Sequence, residues 1–157
     1  MNKGCKFCWA VSLMLAAVLA TGAYMFIVRG SVVKADDGRT AILLSAGERD
    51  HVLGEMRGLL EAVQSITQAL VANDMEAVAT SASAVGMVLA RGENPATVAK
   101  LPLEFKKNGF AAHSAFDELA ENARDFGDKD MALEELSVIL TACTSCHAGY
   151  RIALEED

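Results

Sequence analysis

The segment LEELSVILTACTSCH, residues 133–147, combines the apolar repeat of a core helix with a cofactor-attachment motif. Spacings of three and four residues, typical of one face of an α-helix, join Leu133, Leu136, Leu140, Cys143, His147, Tyr150 and Leu154. Its last five residues have the form C-x-x-C-H, the pattern of covalent haem attachment. We therefore predict a final core helix that holds a haem inside a helical protein.

Each residue of the motif has its own chemical role. The thiols of Cys143 and Cys146 would form thioether bonds with the two vinyl groups of one haem c, and His147 would bind the iron as its proximal ligand. A structural zinc site needs about four protein ligands, but the only other cysteines, Cys5 and Cys8, stand at the far N-terminus. A thioredoxin-like redox pair normally begins a helix after a strand, and no strand pattern precedes this motif. Haem attachment is therefore the favoured interpretation.

The motif continues to Tyr150 and Arg151 as C-x-x-C-H-x-x-Y-R. In these residues the sequence resembles the cytochrome c-prime family, which carries this pattern, or a near variant, on the last helix of a four-helix bundle. The resemblance implies an all-α fold, an antiparallel up-down-up-down four-helix bundle from about residue 47 to the end. We expect Tyr150 to pack on the haem or to hydrogen-bond near its edge. Arg151 either pairs with a haem propionate through a charge-assisted bond or lies in solvent at the helix end, where a cation suits the helix dipole.

The apolar pattern elsewhere predicts three further helices in the bundle. The first runs from about Glu48 to Ala72, and its core positions are Val52, Met56, Leu59, Val63, Ile66 and Leu70. The second begins with a capping box of Asn73 and Glu76 and ends at Gly92, and the third runs from about Pro102 to Phe126. The last begins near Lys129 and extends to about Leu154. Four amphipathic helices with short loops are typical of an antiparallel bundle.

The N-terminus carries a long apolar run, Phe7–Val28, after Lys3 and Lys6. Secretory signals have apolar cores of about 7–15 residues, whereas a membrane-spanning helix needs about 20. The length favours an uncleaved signal anchor, with cleavage after Ala35 as the alternative. Either case places the following domain on the periplasmic side of the bacterial inner membrane, where haem is attached covalently. We therefore divide the chain into a leader (1–35), a linker (36–47) and a haem-binding bundle (48–157).

The domain after the leader is strongly acidic. Of the 14 lysines and arginines, four precede Asp36, so 10 bases stand against all 21 acids, a net charge of −11. This balance disfavours nucleic-acid binding. It would suit a basic redox partner protein, and the resemblance also leaves room for a homodimer.

The residue opposite His147 decides the function. In the antiparallel arrangement, Met56 and His147 would both lie about 11–12 Å from the same end of the bundle. Low-spin members of the resembled family place a methionine ligand here, and high-spin relatives place an apolar residue and leave the position vacant. A methionine at helical spacing is also a common core residue. We rank Met56 first as sixth ligand, a vacant position second and His113 third, since His113 flanks the core positions of its helix.

Two main functions follow from that ranking. A haem held by His147 and Met56 would serve electron transfer, because two axial ligands leave no place for a substrate. A five-coordinate haem would bind a gas such as nitric oxide or carbon monoxide. A structural or assembly subunit is a third hypothesis. We expect no enzymatic activity.

Overall fold

The computed structural model describes residues 3–155; residues 1, 2, 156 and 157, at the ends of the predicted leader and bundle, lie outside that range. The fold is mostly helical with one small sheet. The helices are α1 (Lys3–Ala23, continued by a π-helical turn, Tyr24–Arg29), α2 (Ala46–Ala72), α3 (Met75–Ser83), α4 (Met87–Ala90), α5 (Pro95–Lys100), α6 (Leu103–Phe126) and α7 (Lys129–Gly149). The strands are β1 (Val32–Lys34), β2 (Thr40–Leu44) and β3 (Tyr150–Leu154).

Four helices surround the main core. Helix α2 packs against α3 and α7, and α6 packs against the same two helices. The core is built of apolar side chains, many of them alanine. The largest that are fully buried are Phe116, Ile66, Leu119, Ile139 and Val78. Of the predicted core positions of α2, Val52, Ile66 and Leu70 are buried and Met56, Leu59 and Val63 are half-buried. On α6 the same apolar spacing joins Phe116, Leu119, Ala123 and Phe126; the first three are buried, and Phe126, at the helix end, is 68% exposed.

The helix ends follow local capping chemistry. Ser45 and Glu48 form the capping box of α2. Asn73 ends α2 in the left-handed conformation, with φ of 57°, so the predicted capping box of Asn73 and Glu76 is wrong. The N-cap of α3 is Asp74, whose carboxylate accepts a hydrogen bond from the Ala77 amide.

The second predicted helix is interrupted, and α3, α4 and α5 take its place and that of the loop after it. At the first break, Asp117 of α6 accepts a hydrogen bond of 2.9 Å from the amide of Met87. A Cβ on Gly86 would overlap that carboxylate. The close approach of α6 therefore ends α3 early and fixes the start of α4.

A three-stranded sheet corrects the all-α prediction. Strand β2 lies in the predicted linker, pairs antiparallel with β1 and pairs parallel with β3. The last helix ends at Gly149 instead of near Leu154, since the chain turns there to pair with β2. Residues Ile42, Leu44 and Val52 form a second core beneath this sheet, which Ile152 joins from β3.

The buried face of α7 also differs from the prediction. The buried side chains are Ala132, Leu136 and Ile139, whereas Leu133 is 52% exposed and Leu140 is 41% exposed. The prediction is therefore confirmed for Leu136 and wrong for Leu133 and Leu140, whose places in the core are taken by Ala132 and Ile139.

The N-terminal helix is long and apolar enough to cross a membrane from Lys6 to Arg29, and it is the one such helix among residues 3–155. Both a signal sequence and a membrane anchor have this character. Its end is joined to the domain, because the Ser31 amide donates a hydrogen bond of 2.7 Å to the Lys100 carbonyl.

Candidate functional site

A cavity lies between the main core and the second core. Its interior volume is about 170 Å³, and the cavity is partly open to solvent. Helices α2, α5, α6 and α7 supply its walls, and apolar side chains such as Val52, Leu59, Leu101, Phe105 and Phe110 form most of its surface. The lining of the cavity therefore suits a mainly apolar ligand.

The attachment motif forms one wall of this cavity. Cys143, Cys146 and His147, on the last turns of α7, all line it. The two cysteines are half-buried free thiols and His147 is exposed. Burial raises the pKa of both thiols, whereas the reactive cysteines of thiol–disulfide enzymes have a lowered pKa.

Met56 lines the same cavity as the motif. Its side chain lines the main cavity together with His147, and both residues also line a second, adjoining cavity of about 180 Å³. The folding of α2 and α7 therefore places both residues on the walls of the same cavities. The role of Met56 as an iron ligand stays a prediction.

His113 also lines the main cavity. Its Nδ1 lies 2.7 Å from the carbonyl oxygen of Val85. Because a carbonyl oxygen can only accept, Nδ1 must carry the proton and donate it. Nε2 is then left with a free lone pair, the arrangement in which metal-binding histidines are usually held.

The tyrosine and the arginine that end the extended motif lie at the second cavity. Tyr150 and Arg151 line it, but they stand on β3 and not on a further helical turn. The Tyr150 ring packs edge-on against Phe105 with ring centroids 5.4 Å apart. Arg151 forms an ion pair of 3.6 Å with Asp37. The predicted contact of Tyr150 with the haem edge and that of Arg151 with a propionate stay predictions.

Arg39 is a residue of this region that the sequence did not indicate. It stands in the β1–β2 hairpin, and its Nη1 donates long hydrogen bonds of 3.4 and 3.5 Å to the carbonyls of His147 and Tyr150. Asp37 holds the same guanidinium in a salt bridge of 2.7 Å. Arg39 thus satisfies carbonyls at the end of α7. No local pattern could have linked it to residues more than 100 positions away.

A cluster of three polar side chains lies at the rim of the main cavity. The ligand atoms of His51, Glu55 and Glu93 all lie within 4.8 Å of one another, close enough to surround a divalent metal. Nε2 of His51 is 3.0 Å from the Glu93 carboxylate, and the His51 side chain is 57% exposed. Burial, reinforced by the neighbouring carboxylate of Glu93, raises the pKa of Glu55 to about 7. The spacing of His51 and Glu55 on one helical face was the available sequence signal.

Comparison of the chain with protein-family models, with characterised proteins and with solved structures gave no match. The function must therefore be inferred from the residues of the site.

Proposed function

We propose that the chain is a c-type cytochrome that binds one haem covalently through Cys143 and Cys146 and carries electrons on the periplasmic side of the inner membrane. The observation that carries this proposal is that the C-x-x-C-H motif lines an apolar cavity.

The cavity fits the group that the motif implies. Its predominantly apolar walls suit a porphyrin face. Covalently bound haem would supply a one-electron couple whose potential depends on axial ligands and on burial. The residues of the chain would attach it, through Cys143 and Cys146, and orient it, through His147.

Arg39 and Arg151 suit the ionised edge of the same group. Both line the second cavity, which shares Cys146 and His147 with the main one. Guanidinium groups form strong bidentate bonds with carboxylates, and Asp37 already orients both of them. Haem propionates would compete with Asp37 for these two cations.

Met56 is the proposed sixth ligand, and low-spin electron transfer follows from it. Its support is that Met56 lines both cavities together with His147. The alternative ligand is His113, which is supported by its hydrogen bond to the Val85 carbonyl. Two axial ligands from either pair would exclude small molecules from the iron.

The likeness to the cytochrome c-prime family, and with it the full four-helix bundle, belongs to the same proposal. The mutual packing of α2, α3, α6 and α7 supports it, and the sheet and the interrupted second helix depart from the family pattern as we described it. A redox partner protein and a homodimer are both compatible with the acidic surface.

The leader is best understood as a retained anchor. Cleavage after Ala35 would remove β1, leaving β2 with a free edge, and would also remove Ser31, which bonds to Lys100 and accepts a hydrogen bond from the Leu43 amide. A segment built into the domain in this way is a poor candidate for removal. Carbonate-washed membranes should retain the protein with its N-terminal segment, and a soluble form beginning at Asp36 would refute the anchor.

The attachment of haem is tested by expressing the chain with the periplasmic haem-attachment system. Denatured wild-type protein should keep its haem, and its reduced pyridine spectrum should be of c type. The double variant C143A/C146A should lose the pigment from the denatured chain, while Cys8→Ala, the matched control at an exposed cysteine, should keep it. Haem that extracts from the wild type into acidified organic solvent would exclude the proposal.

The ligand is tested by the spin state of three proteins. The wild type should be low-spin, Met56→Ala should become high-spin and bind carbon monoxide when reduced, and His113→Ala should keep the wild-type spectrum. The reverse pattern would assign the ligand to His113.

Gas binding is the second candidate function, favoured by the partial opening of the main cavity to solvent. A high-spin wild type that binds carbon monoxide without substitution would place it first.

A further inference from the structure

The end of the apolar helix is fixed to the domain through three neighbouring contacts. Gly30, with φ of 67°, lies so close to residues 100–102 that a Cβ there would meet their backbone. The Ser31 amide bonds to the Lys100 carbonyl. The ammonium group of Lys106, near the start of α6, lies 3.2 Å from the carbonyl oxygens of both Phe26 and Ile27.

These contacts fix the height of α6 relative to a membrane. The apolar span ends at Arg29, so Phe26 and Ile27 belong to its last turn, where the hydrocarbon region gives way to headgroups. Because Lys106 contacts both of their carbonyls, the first turns of α6 lie at this boundary when the span is in a bilayer.

The same turns of α6 form a wall of the main cavity. Lys106, Asn108, Gly109 and Phe110 all line it. Phe110 is also 43% exposed, and burial lowers the pKa of Lys106. The wall nearest the membrane is therefore a wall of the proposed haem site.

This part of the surface has the chemistry of a membrane interface. Arg29 and Lys107 are exposed cations, and Lys107 precedes Phe110 by three residues on α6. Lys107 also forms an ion pair of 2.9 Å with Glu104. The rest of the domain is acidic. Cations attract anionic headgroups, and aromatic side chains concentrate at bilayer interfaces.

We propose that the face formed by Arg29, Lys106, Lys107 and Phe110, the juxtamembrane face, rests on the lipid surface and holds the α6 wall of the cavity at headgroup level. This proposal rests on the retained anchor of the proposed function.

The test uses the full chain in vesicles of phosphatidylcholine and phosphatidylglycerol, made either with ordinary acyl chains or with brominated ones. Trp9, the one tryptophan of the chain, is replaced by phenylalanine, and a new tryptophan is introduced as Phe110→Trp. The matched control is Val138→Trp, at a position 65% exposed on α7. The ratio of emission between the two kinds of vesicle cancels quenching by haem, which is equal in both.

Interfacial side chains bury about 5–10 Å into the headgroup and acyl boundary, so the emission of Phe110→Trp should fall by about half or more in brominated vesicles. The emission of Val138→Trp should not change. If the protein floats with the vesicles but bromination changes the emission of both tryptophans equally, the docking is overturned and the anchor is not. A protein that does not float with the vesicles would overturn the anchor and the docking together.

Discussion

Gly30→Ala is the substitution that should most directly disturb the junction between the apolar helix and the domain. An alanine at φ of 67° costs about 1–2 kcal/mol through its backbone conformation. Its Cβ would also lie 2.7 Å from the Leu101 carbonyl carbon and closer still to the Lys100 oxygen. Because backbone atoms cannot rotate away, the junction must separate, with loss of the Ser31–Lys100 hydrogen bond. We expect a total cost of about 2–4 kcal/mol.

Substitutions at two other glycines separate the cost of the backbone conformation from the cost of the steric overlap. Gly38 has φ of 84° but open space around its Cβ position, so Gly38→Ala should show the conformational part alone, about 1–2 kcal/mol. Gly58 lies inside α2 with open space and an ordinary φ. Gly58→Ala should stabilise the chain by about 0.5–1 kcal/mol.

Amide hydrogen exchange is the appropriate assay, since local opening of the junction need not unfold the core. The Ser31 amide should lose about 30- to 1,000-fold of its protection in Gly30→Ala, at 1.4 kcal/mol per factor of ten. The amide of Ala35, which bonds across the hairpin to Arg39, should lose about 5- to 30-fold in Gly38→Ala. If Gly30→Ala costs no more than Gly38→Ala, the close approach to residues 100–102 is wrong.

Three further predictions concern the core, a helix break and acid stability. Leu136→Ala should destabilise the fold by about 2–5 kcal/mol in urea titrations, and the half-exposed Leu133→Ala by about 0.5 kcal/mol; equal losses would contradict the buried face of α7. Gly86→Ala should lower the free energy of unfolding by about 1–3 kcal/mol, because its Cβ overlaps Asp117, and an unchanged melting temperature would exclude that packing. A lysine ammonium and the Ser45 cap lower the pKa of Glu48 to about 2 from an ordinary value near 4.5, so its contribution is present above pH 4.5 and is lost as the pH falls toward 2. Glu48→Gln, which can keep the capping box, should therefore cost about 1 kcal/mol at pH 7 and progressively less in acid, and a cost independent of pH would refute the assignment.

Local chemistry was sufficient for much of the helical structure. The apolar repeats predicted α2, α6 and most of α7 near their observed ends, since amphipathic spacing and caps act within a few residues. The apolar leader and the C-x-x-C-H motif are equally local. The heights of Met56 and His147 in their helices also predicted that they would meet, because helix geometry fixes distance along the axis.

Other features needed the tertiary structure. The face of α7 was mispredicted because two neighbouring sets of apolar positions, Leu133 with Leu140 and Ala132 with Ile139, both have helical spacing. Only the packing of α2 and α6 selects the second set, where the small side chain of Ala132 allows close approach.

The sequence by itself therefore determined the helical class and the apolar leader and predicted the attachment chemistry, all of which depend on residues close together in the chain. The tertiary structure alone decided that Tyr150 begins a strand, that Arg39 binds the end of α7 and that the leader joins the cavity wall. Each of these rests on partners about 80–110 positions apart. A hydrogen bond or a close backbone contact at that separation leaves no pattern in either segment, because each segment is complete only when the other is folded against it.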